Sequence, residues 1–317
     1  VLALPLSELF SRDSQKMHIQ GESEDCKGSF KFEEVDFSPK ALSDASAKEL
    51  WEKWGLDQNS YIKRLSFDEF FSEEQKDVFF KDLFSSEIAR KALGISTGRN
   101  NSWTSVGPLT SYTATDLTAT VTNLDFFSKI NDLEDPAVVR DKGALVKCFD
   151  EFVDGVPLSD ELRKMLVMEE SEHFEEFSEE ERREFIFHIF LRVCMGGGMC
   201  QYEDDIRPYL ETVKVNYPPS HPKDHSPLSP STTPARLGDA ARFVFQGLYK
   251  DLVSVQKNPS TKALEVTSFV YQLEEAEGEF GSLFPDCASR QHSFCYLVVE
   301  PTKRHVTIWY LSHMTLF

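Results

Sequence analysis

The strongest constraint on how this chain can fold is the run FCYLVV, Phe294 to Val299. Successive strand residues point to opposite faces of a sheet. In this run both alternating sets are apolar, so the strand has to be covered on both sides. HVTIWYL follows across the turn PTKR, whose proline presets φ for the first turn corner. A second pair of runs, LYKDLVSVQ and ALEVTSFVYQL, flanks KNPSTK in the same way. The expectation is two hairpins forming one four-stranded antiparallel sheet, with helices from the middle of the chain covering its second face.

Those helices announce themselves by caps and spacing. Ser178 and Glu181 form a capping box before REFIFHIFLRVC. Phe185, Ile186, Ile189, Phe190, Val193 and Cys194 then recur as one core-facing stripe. Ser159 opens DELRKMLVME. Asp135-Pro136 places a cap before a proline at the first helical position, and Gly143 is expected to end that short helix. In the N-terminal third, FKFEEVDF (Phe30 to Phe37) reads as a strand. Ser43 to Trp54 reads as a helix capped by Ser43 or Ser46 and stopped by Gly55. Ser72 and Gln75 cap a helix from Glu73, and YTATDLTATVTNLDFF suits a strand near the surface.

The fold class read from this pattern is α+β, with a central helical block packed on a C-terminal antiparallel sheet of two hairpins. Residues 1–27 read as a loose tail and 28–216 as the N-terminal and helical part of one domain. Residues 217–246 read as a Pro-rich disordered insertion, and 247–317 as the sheet of the same domain. From Tyr217 to Asp239 there are six Pro among 23 residues and almost no large aliphatic ones, too little to pack a core.

The formal charge is −19. Such a chain is repelled by nucleic-acid phosphates and by anionic membrane surfaces, which leaves basic or mixed protein surfaces as partners. Between Asp150 and Glu184 fourteen Asp/Glu stand against four Lys/Arg, a balance of −10 and more than half the total. Within it, Glu169, Glu170, Glu172, Glu175, Glu176, Glu179 and Glu180 crowd together without a Lys or Arg to pair them. A solvated helical face and a docking surface for a basic partner both fit that cluster. The six cysteines, Cys26, Cys148, Cys194, Cys200, Cys287 and Cys295, are sparse and irregularly spaced, as expected of reduced, buried thiols. No stretch reaches 18 apolar residues, so no transmembrane helix is expected. The opening VLALPLSELFSRD lacks a basic region and a small-residue cleavage site, and is not read as a signal peptide.

CMGGGMCQYEDD, Cys194 to Asp205, looks most like a site. A Walker loop would need a lysine after its last glycine, and a Rossmann loop a third glycine where Gln201 stands. Zinc ligands are usually two to four residues apart, whereas five separate Cys194 from Cys200. The preferred reading is helix termination, with glycine supplying the left-handed cap and its neighbours letting the chain fold back closely. His173-Phe-Glu175 matches two arms of a facial iron triad only in spacing. No residue is nominated as catalytic, cofactor-binding or metal-ligating.

Several stretches together resemble the cilia- and flagella-associated protein 300 family: VRDKGALVKCFDEF, LSDELRKMLVMEESEHFEEFSEEERREF, CMGGGMCQYEDDIRPYLETVK, LYKDLVSVQKNP and EPTKRHV, with LWEKWG and FFKD more weakly. The resemblance covers roughly residues 28 to 317. It implies a non-enzymatic factor without cofactors, needed to assemble and transport outer and inner axonemal dynein arms. It places members in the cytoplasm and in the cilium or flagellum, as cargo of intraflagellar transport. The implied partners are other assembly factors, axonemal dynein subunits and the transport machinery. In the family YLETVK runs almost directly into LYKDLVSV; the thirty or so extra residues here are either a disordered insertion or a retained intron. The candidate partner surface is the acidic face with the adjoining loop: Glu169, Glu170, Glu172, Glu175, Glu176, Tyr202, Glu203 and Asp204. The alternative is an enzyme or small-ligand binder with a site near Cys194 to Tyr202.

Overall fold

The computed structural model describes residues 15–18, 30–96, 103–130, 133, 137–153, 155–197, 200–213, 247–284 and 292–313. Its strands, in chain order, are β1 (Gln15–His18), β2 (Phe32–Val35), β3 (Ser60–Phe67), β4 (Gly94–Ser96), β5 (Trp103–Ser105), β6 (Leu109–Leu117), β7 (Lys147–Val153), β8 (Val156–Asp160), β9 (Val255–Lys257), β10 (Leu264–Val266), β11 (Phe269–Gly278), β12 (Gly281–Ser282), β13 (Phe294–Glu300) and β14 (His305–Leu311). The helices are α1 (Ala45–Lys53), α2 (Lys76–Ser85), α3 (Glu87–Ala92), α4 (Glu161–Val167), α5 (Glu179–Arg182), α6 (Phe185–Met195), α7 (Arg207–Val213) and α8 (Leu248–Leu252).

The main sheet runs β1-β6-β11-β13-β14-β3-β2, antiparallel throughout, with β12 paired to β11. β13 lies at its centre, and every residue of it is buried. Period-2 alternation divides that burial between two cores. Phe294, Tyr296 and Val298 join α6, Trp51 and Trp309 in one cluster. Cys295, Leu297 and Val299 join Phe79, Phe80, Leu83 and Phe84 of α2 in the other. The central helices thus cover one face, as expected. The Phe-rich segment near residue 80 covers the opposite face, packing mostly edge-to-face, with Phe80 4.9 Å from Tyr271 and Phe79 5.0 Å from Phe30.

Several expectations need correcting. The sheet is not C-terminal alone, because β1, β2, β3 and β6 from the first third of the chain complete it. Hydrogen bonding between strands is indifferent to sequence distance, so the outer edges of the C-terminal strands β11 and β14 are taken up by β6 and β3. Of the two hairpins, β13–β14 forms as read, but LYKDL is α8 and β9–β10 is a separate two-stranded ribbon. Leu248, Tyr249 and Leu252 have helical spacing and are buried together, which settles the period. β6 is mostly buried between β1 and β11, not a surface strand. The loose-tail reading fails at Gln15–His18, which pairs in register with Ser111–Ala114. Asp44 and Asp160, not the neighbouring serines, cap α1 and α4. The stretch after Pro136 is not an α-helix where described: Val139 bridges to Leu145, and only a single 3-10 turn, Asp141–Gly143, lies between them, with Gly143 at its end. The Pro-rich segment, Asp135-Pro136, Cys26 and Cys287 lie outside the described residues.

The capping boxes at Ser72/Gln75 and Ser178/Glu181 form as read. The stripe on α6 is core-facing too, but all eleven residues of that helix are buried. Its polar members explain how. His188 and Arg192, one turn apart, both reach the hydroxyl of Tyr296 on β13, with Nδ1 at 3.2 Å and Nε at 2.9 Å. A hydrogen-bonded polar face can be buried, whereas an unsatisfied one would cost too much.

Candidate functional site

Two regions were expected to matter, the glycine-rich stretch and the acidic segment. The first is organised around a buried ion pair that the sequence reading missed. Asp160 ends β8 and caps α4, its Oδ1 accepting from the Arg163 amide at 2.9 Å. Its Oδ2 pairs with Arg163 Nη1, and both side chains are fully buried. The remaining guanidinium donors reach across the fold. Nε donates to the Cys194 carbonyl at 3.0 Å, and Nη2 to the Tyr209 hydroxyl at 2.8 Å. Tyr202 stacks on the guanidinium, 3.4 Å from ring centroid to Cζ. The Cys194 carbonyl belongs to the last turn of α6, where carbonyls lack helical partners and a cation is favoured. An Asp three residues before an Arg at a helix start was the available signal.

The glycine-rich loop begins there. α6 ends at Met195, and Gly196 takes φ 65°, as a glycine cap should. The chain then folds onto the end of α1. The Gly197 amide donates to the Trp54 carbonyl at 2.8 Å, and the Gln201 amide to the Lys53 carbonyl at 2.8 Å. Orphan carbonyls of one helix end are thus satisfied by the loop that leaves another. A Cβ on Gly197 would lie 2.2 Å from the Gly55 carbonyl oxygen, so only glycine permits the approach. Trp54 Nε1 donates to Glu203 Oε1 at 3.0 Å, Lys53 pairs with the same oxygen at 2.7 Å, and the Trp54 and Tyr209 rings lie 5.0 Å apart. The Tyr209 hydroxyl also accepts from the Glu203 amide at 2.8 Å. LWEKWG and CMGGGMCQYE therefore form one clamp. Tyr202 and Glu203 are built into it, half-buried, while Asp204 stands exposed and pairs with Lys147 at 2.7 Å.

Cys194 is buried and Cys200 half-buried, its Sγ 3.6 Å from the Met195 carbonyl oxygen. Desolvation raises both thiols above the usual range, which disfavours the thiolate needed for metal binding or nucleophilic attack. Among the described residues no three His, Cys, Asp or Glu side chains converge as a metal-binding group. Replacing both cysteines with Ala is expected to cost only packing, about 1–3 kcal/mol. Elemental analysis of the purified protein should find no stoichiometric zinc; one equivalent lost in the double variant would contradict this.

Glu169, Glu170, Glu172, Glu175 and Glu176 are all exposed. They do not lie on a helical face: residues 169–173 form turns, and Phe174–Glu176 a single 3-10 turn. The segment wraps a buried cation. Arg182 Nε donates to the Phe177 carbonyl at 3.1 Å, and its Nη atoms donate to the carbonyls of Leu166 (2.9 Å), Met165 (3.0 Å) and Phe174. Desolvation lowers its pKa to about 10, with Glu169 and Glu181 opposing the shift, so it remains charged at neutral pH. Lys129 comes in from a distant segment to pair with Glu181 at 2.5 Å and to donate to the Glu176 carbonyl at 2.9 Å. Two cations thus lie close by, but neither forms an ion pair with the seven clustered glutamates: Arg182 is taken up by backbone carbonyls and Lys129 by Glu181. An open cleft of about 380 Å³ lies beside the segment, lined by Glu151, Glu161, Lys164, Glu170, Glu172 and His173 over Ala137, Val146 and Met168.

His292 Nδ1 lies 3.0 Å from the Gly196 carbonyl oxygen, so the clamp has a titratable member. Burial lowers its pKa to about 4, against a favourable contact with Gly196 and with smaller unfavourable effects from His313 and Arg192. A histidine held neutral in the folded state protonates preferentially when unfolded. Its contribution is therefore complete above about pH 6.5 and declines as pH falls toward 4, by about 1.4 kcal/mol per pH unit. His292→Asn keeps a donor near the Nδ1 position without titrating. Between pH 7 and 5 its urea midpoint should fall less than the parent's; equal falls would show that His292 does not carry the effect.

A mixed α+β domain whose glycine loop is a tertiary clamp, and which carries a separate exposed acidic segment, defines a structural class, and comparison with known proteins gives the family. The family model for cilia- and flagella-associated protein 300 matches residues 29–219 and 243–311. The Chlamydomonas reinhardtii protein of that name is 31% identical over 278 residues, 87% of this chain and 95% of the relative. The Paramecium tetraurelia protein of the same name is 29% identical over 267 residues, 84% of this chain and 87% of the relative. This chain belongs to the cilia- and flagella-associated protein 300 family. The interruption at 220–242 falls within the Pro-rich stretch. No solved structure is significantly similar to the chain. Among the described residues no helix is long and apolar enough to cross a membrane.

Proposed function

We propose that this protein is a non-enzymatic factor that promotes assembly and transport of outer and inner axonemal dynein arms by binding other proteins, in the cytoplasm and in the cilium. Family membership supports the ciliary setting. The observation that carries the binding reading is the clamp. At the most site-like stretch of sequence, the Gly197 amide, Trp54, Arg163, Glu203 and Tyr209 are engaged in holding helix ends together. A small-ligand site near Cys194 to Tyr202 would need some of those groups free to face a ligand. The acidic, largely exposed 169–180 segment supports a basic protein partner, whose encounter the clustered negative charge would speed.

The test is rescue. Ciliated cells lacking the protein should lose both arms from axonemal cross-sections, and reintroducing the chain should restore them along with dynein heavy chain in isolated axonemes. Normal arms in the null cells would defeat the proposal.

A further inference from the structure

The β7–β8 hairpin leaves two aromatic side chains in water, Phe149 at 95% and Phe152 at 68% exposure, three residues apart on one strand. β7 pairs with β8 along one edge at Lys147 and again from Glu151 to Val153, with a register shift between them that sets Phe149 in a bulge, and among the described residues no strand occupies the other edge. An open strand edge with uncovered aromatics is a template for a further strand, with main-chain hydrogen bonds supplying affinity and side-chain pockets specificity. The acidic cleft adjoins this strand through Glu151. Four carboxylates line it, Glu151, Glu161, Glu170 and Glu172, against Lys164 and His173. Lys164 is already held by Glu151 at 2.8 Å and Glu161 at 3.5 Å. Glu170 and Glu172 have no ion-pair partner among the described residues. Ala137, Val146 and Met168 offer an apolar wall that suits the methylene stem of a long cationic side chain.

We propose that the free edge of β7 and the adjoining cleft form one docking surface for an extended basic segment of a partner protein. Apolar residues of that segment cover Phe149 and Phe152, and a Lys or Arg enters the cleft between Glu170 and Glu172. The inference deepens the assembly-factor reading and rests on it for the partner being a protein. Charge complementarity selects the occupant. A second copy of this chain would bring the same acidic face to a two-fold contact, and an anionic membrane would be repelled.

The probe is a fluorescein-labelled octapeptide of alternating Lys and Val, titrated with the full chain and followed by anisotropy, with a Glu-Val octapeptide as control. The Lys-Val peptide should bind saturably and at least fivefold more weakly at 200 mM than at 50 mM salt, because exposed charges are screened. Phe149→Ser/Phe152→Ser and, separately, Glu170→Lys/Glu172→Lys should each weaken binding at least tenfold, with circular dichroism spectra and urea midpoints unchanged. Both variants alter only exposed side chains, so each tests the surface without the other. No binding by the parent, equal binding of the Glu-Val peptide, or undiminished binding by either variant overturns the proposal. A concentration-dependent dimer in sedimentation that the Phe variant abolishes assigns the surface to a second copy and overturns it too. If peptide binding fails while null-cell rescue succeeds, this inference falls alone. If binding succeeds while null cells keep their arms, the assembly reading falls alone.

Discussion

Asp160→Ala is expected to lower the free energy of unfolding by about 3–5 kcal/mol, the cost of stranding one member of a buried ion pair. Three losses coincide in this substitution. The guanidinium of Arg163 stays fully buried without its carboxylate, the cap on the Arg163 amide disappears, and the arm that holds the Cys194 carbonyl and Tyr209 loses its anchor. The double variant Asp160→Ala/Arg163→Met should be less destabilised than Asp160→Ala alone, because no charge is left in the core. Urea unfolding of both variants measures the difference. A single-variant loss under about 1 kcal/mol would mean that water reaches the pair and that Arg163 does not organise the clamp.

Gly197→Ala is expected to cost about 3 kcal/mol, at the upper end for overpacking, because the atom it meets is backbone that cannot rotate away. The new Cβ would stand 2.2 Å from the Gly55 carbonyl oxygen. The loop can relieve this only by breaking the Gly197-to-Trp54 and Gln201-to-Lys53 hydrogen bonds. Gly155 is the control. It sits in the β7–β8 turn at φ 79° with nothing within 4 Å of the position a methyl group would take, so Gly155→Ala should cost only the left-handed strain of about 1–2 kcal/mol. Hydrogen exchange adds a positional readout: the amides of Gly197 and Gln201 should exchange faster in Gly197→Ala and unchanged in Gly155→Ala. Equal costs for the two substitutions would remove the close-approach argument.

What could be read from the chain followed from local rules. The capping boxes at Ser72 and Ser178 involve groups three residues apart, so their chemistry is complete within the sequence. The glycine cap after α6 is equally local. The PTKR hairpin also formed as read, because its turn residues and its strands are contiguous. The readings that failed needed information from elsewhere. LYKDL has enough apolar residues for a strand or for one helical turn, and only burial of Leu248, Tyr249 and Leu252 together decides for helix. The glutamates of 169–176 look like a helix face in the sequence, yet Arg182 draws the chain into turns by offering its donors to backbone carbonyls that a helix would have occupied. At the candidate site the glycines were visible, but Asp160, Arg163 and Tyr209 were not. Their importance comes from Arg163 of the Asp160 pair meeting Cys194 and Tyr209, 31 and 46 residues further along the chain.

Periodicity, caps and charge were enough to establish that β13 is central and doubly covered, that α6 faces a core, that its end is a glycine turn, and that the chain is strongly acidic. Such signals act over a few residues or sum over all of them. Which strand pairs with the other edge of β13, which segment covers its opposite face, and what the glycine loop grips were settled only by the packed fold. Those choices depend on where distant segments meet, because a buried guanidinium, an orphan helix carbonyl and a bare strand edge accept any geometrically suitable partner. Satisfying all of them at once is a condition on the whole fold and on no single stretch of it.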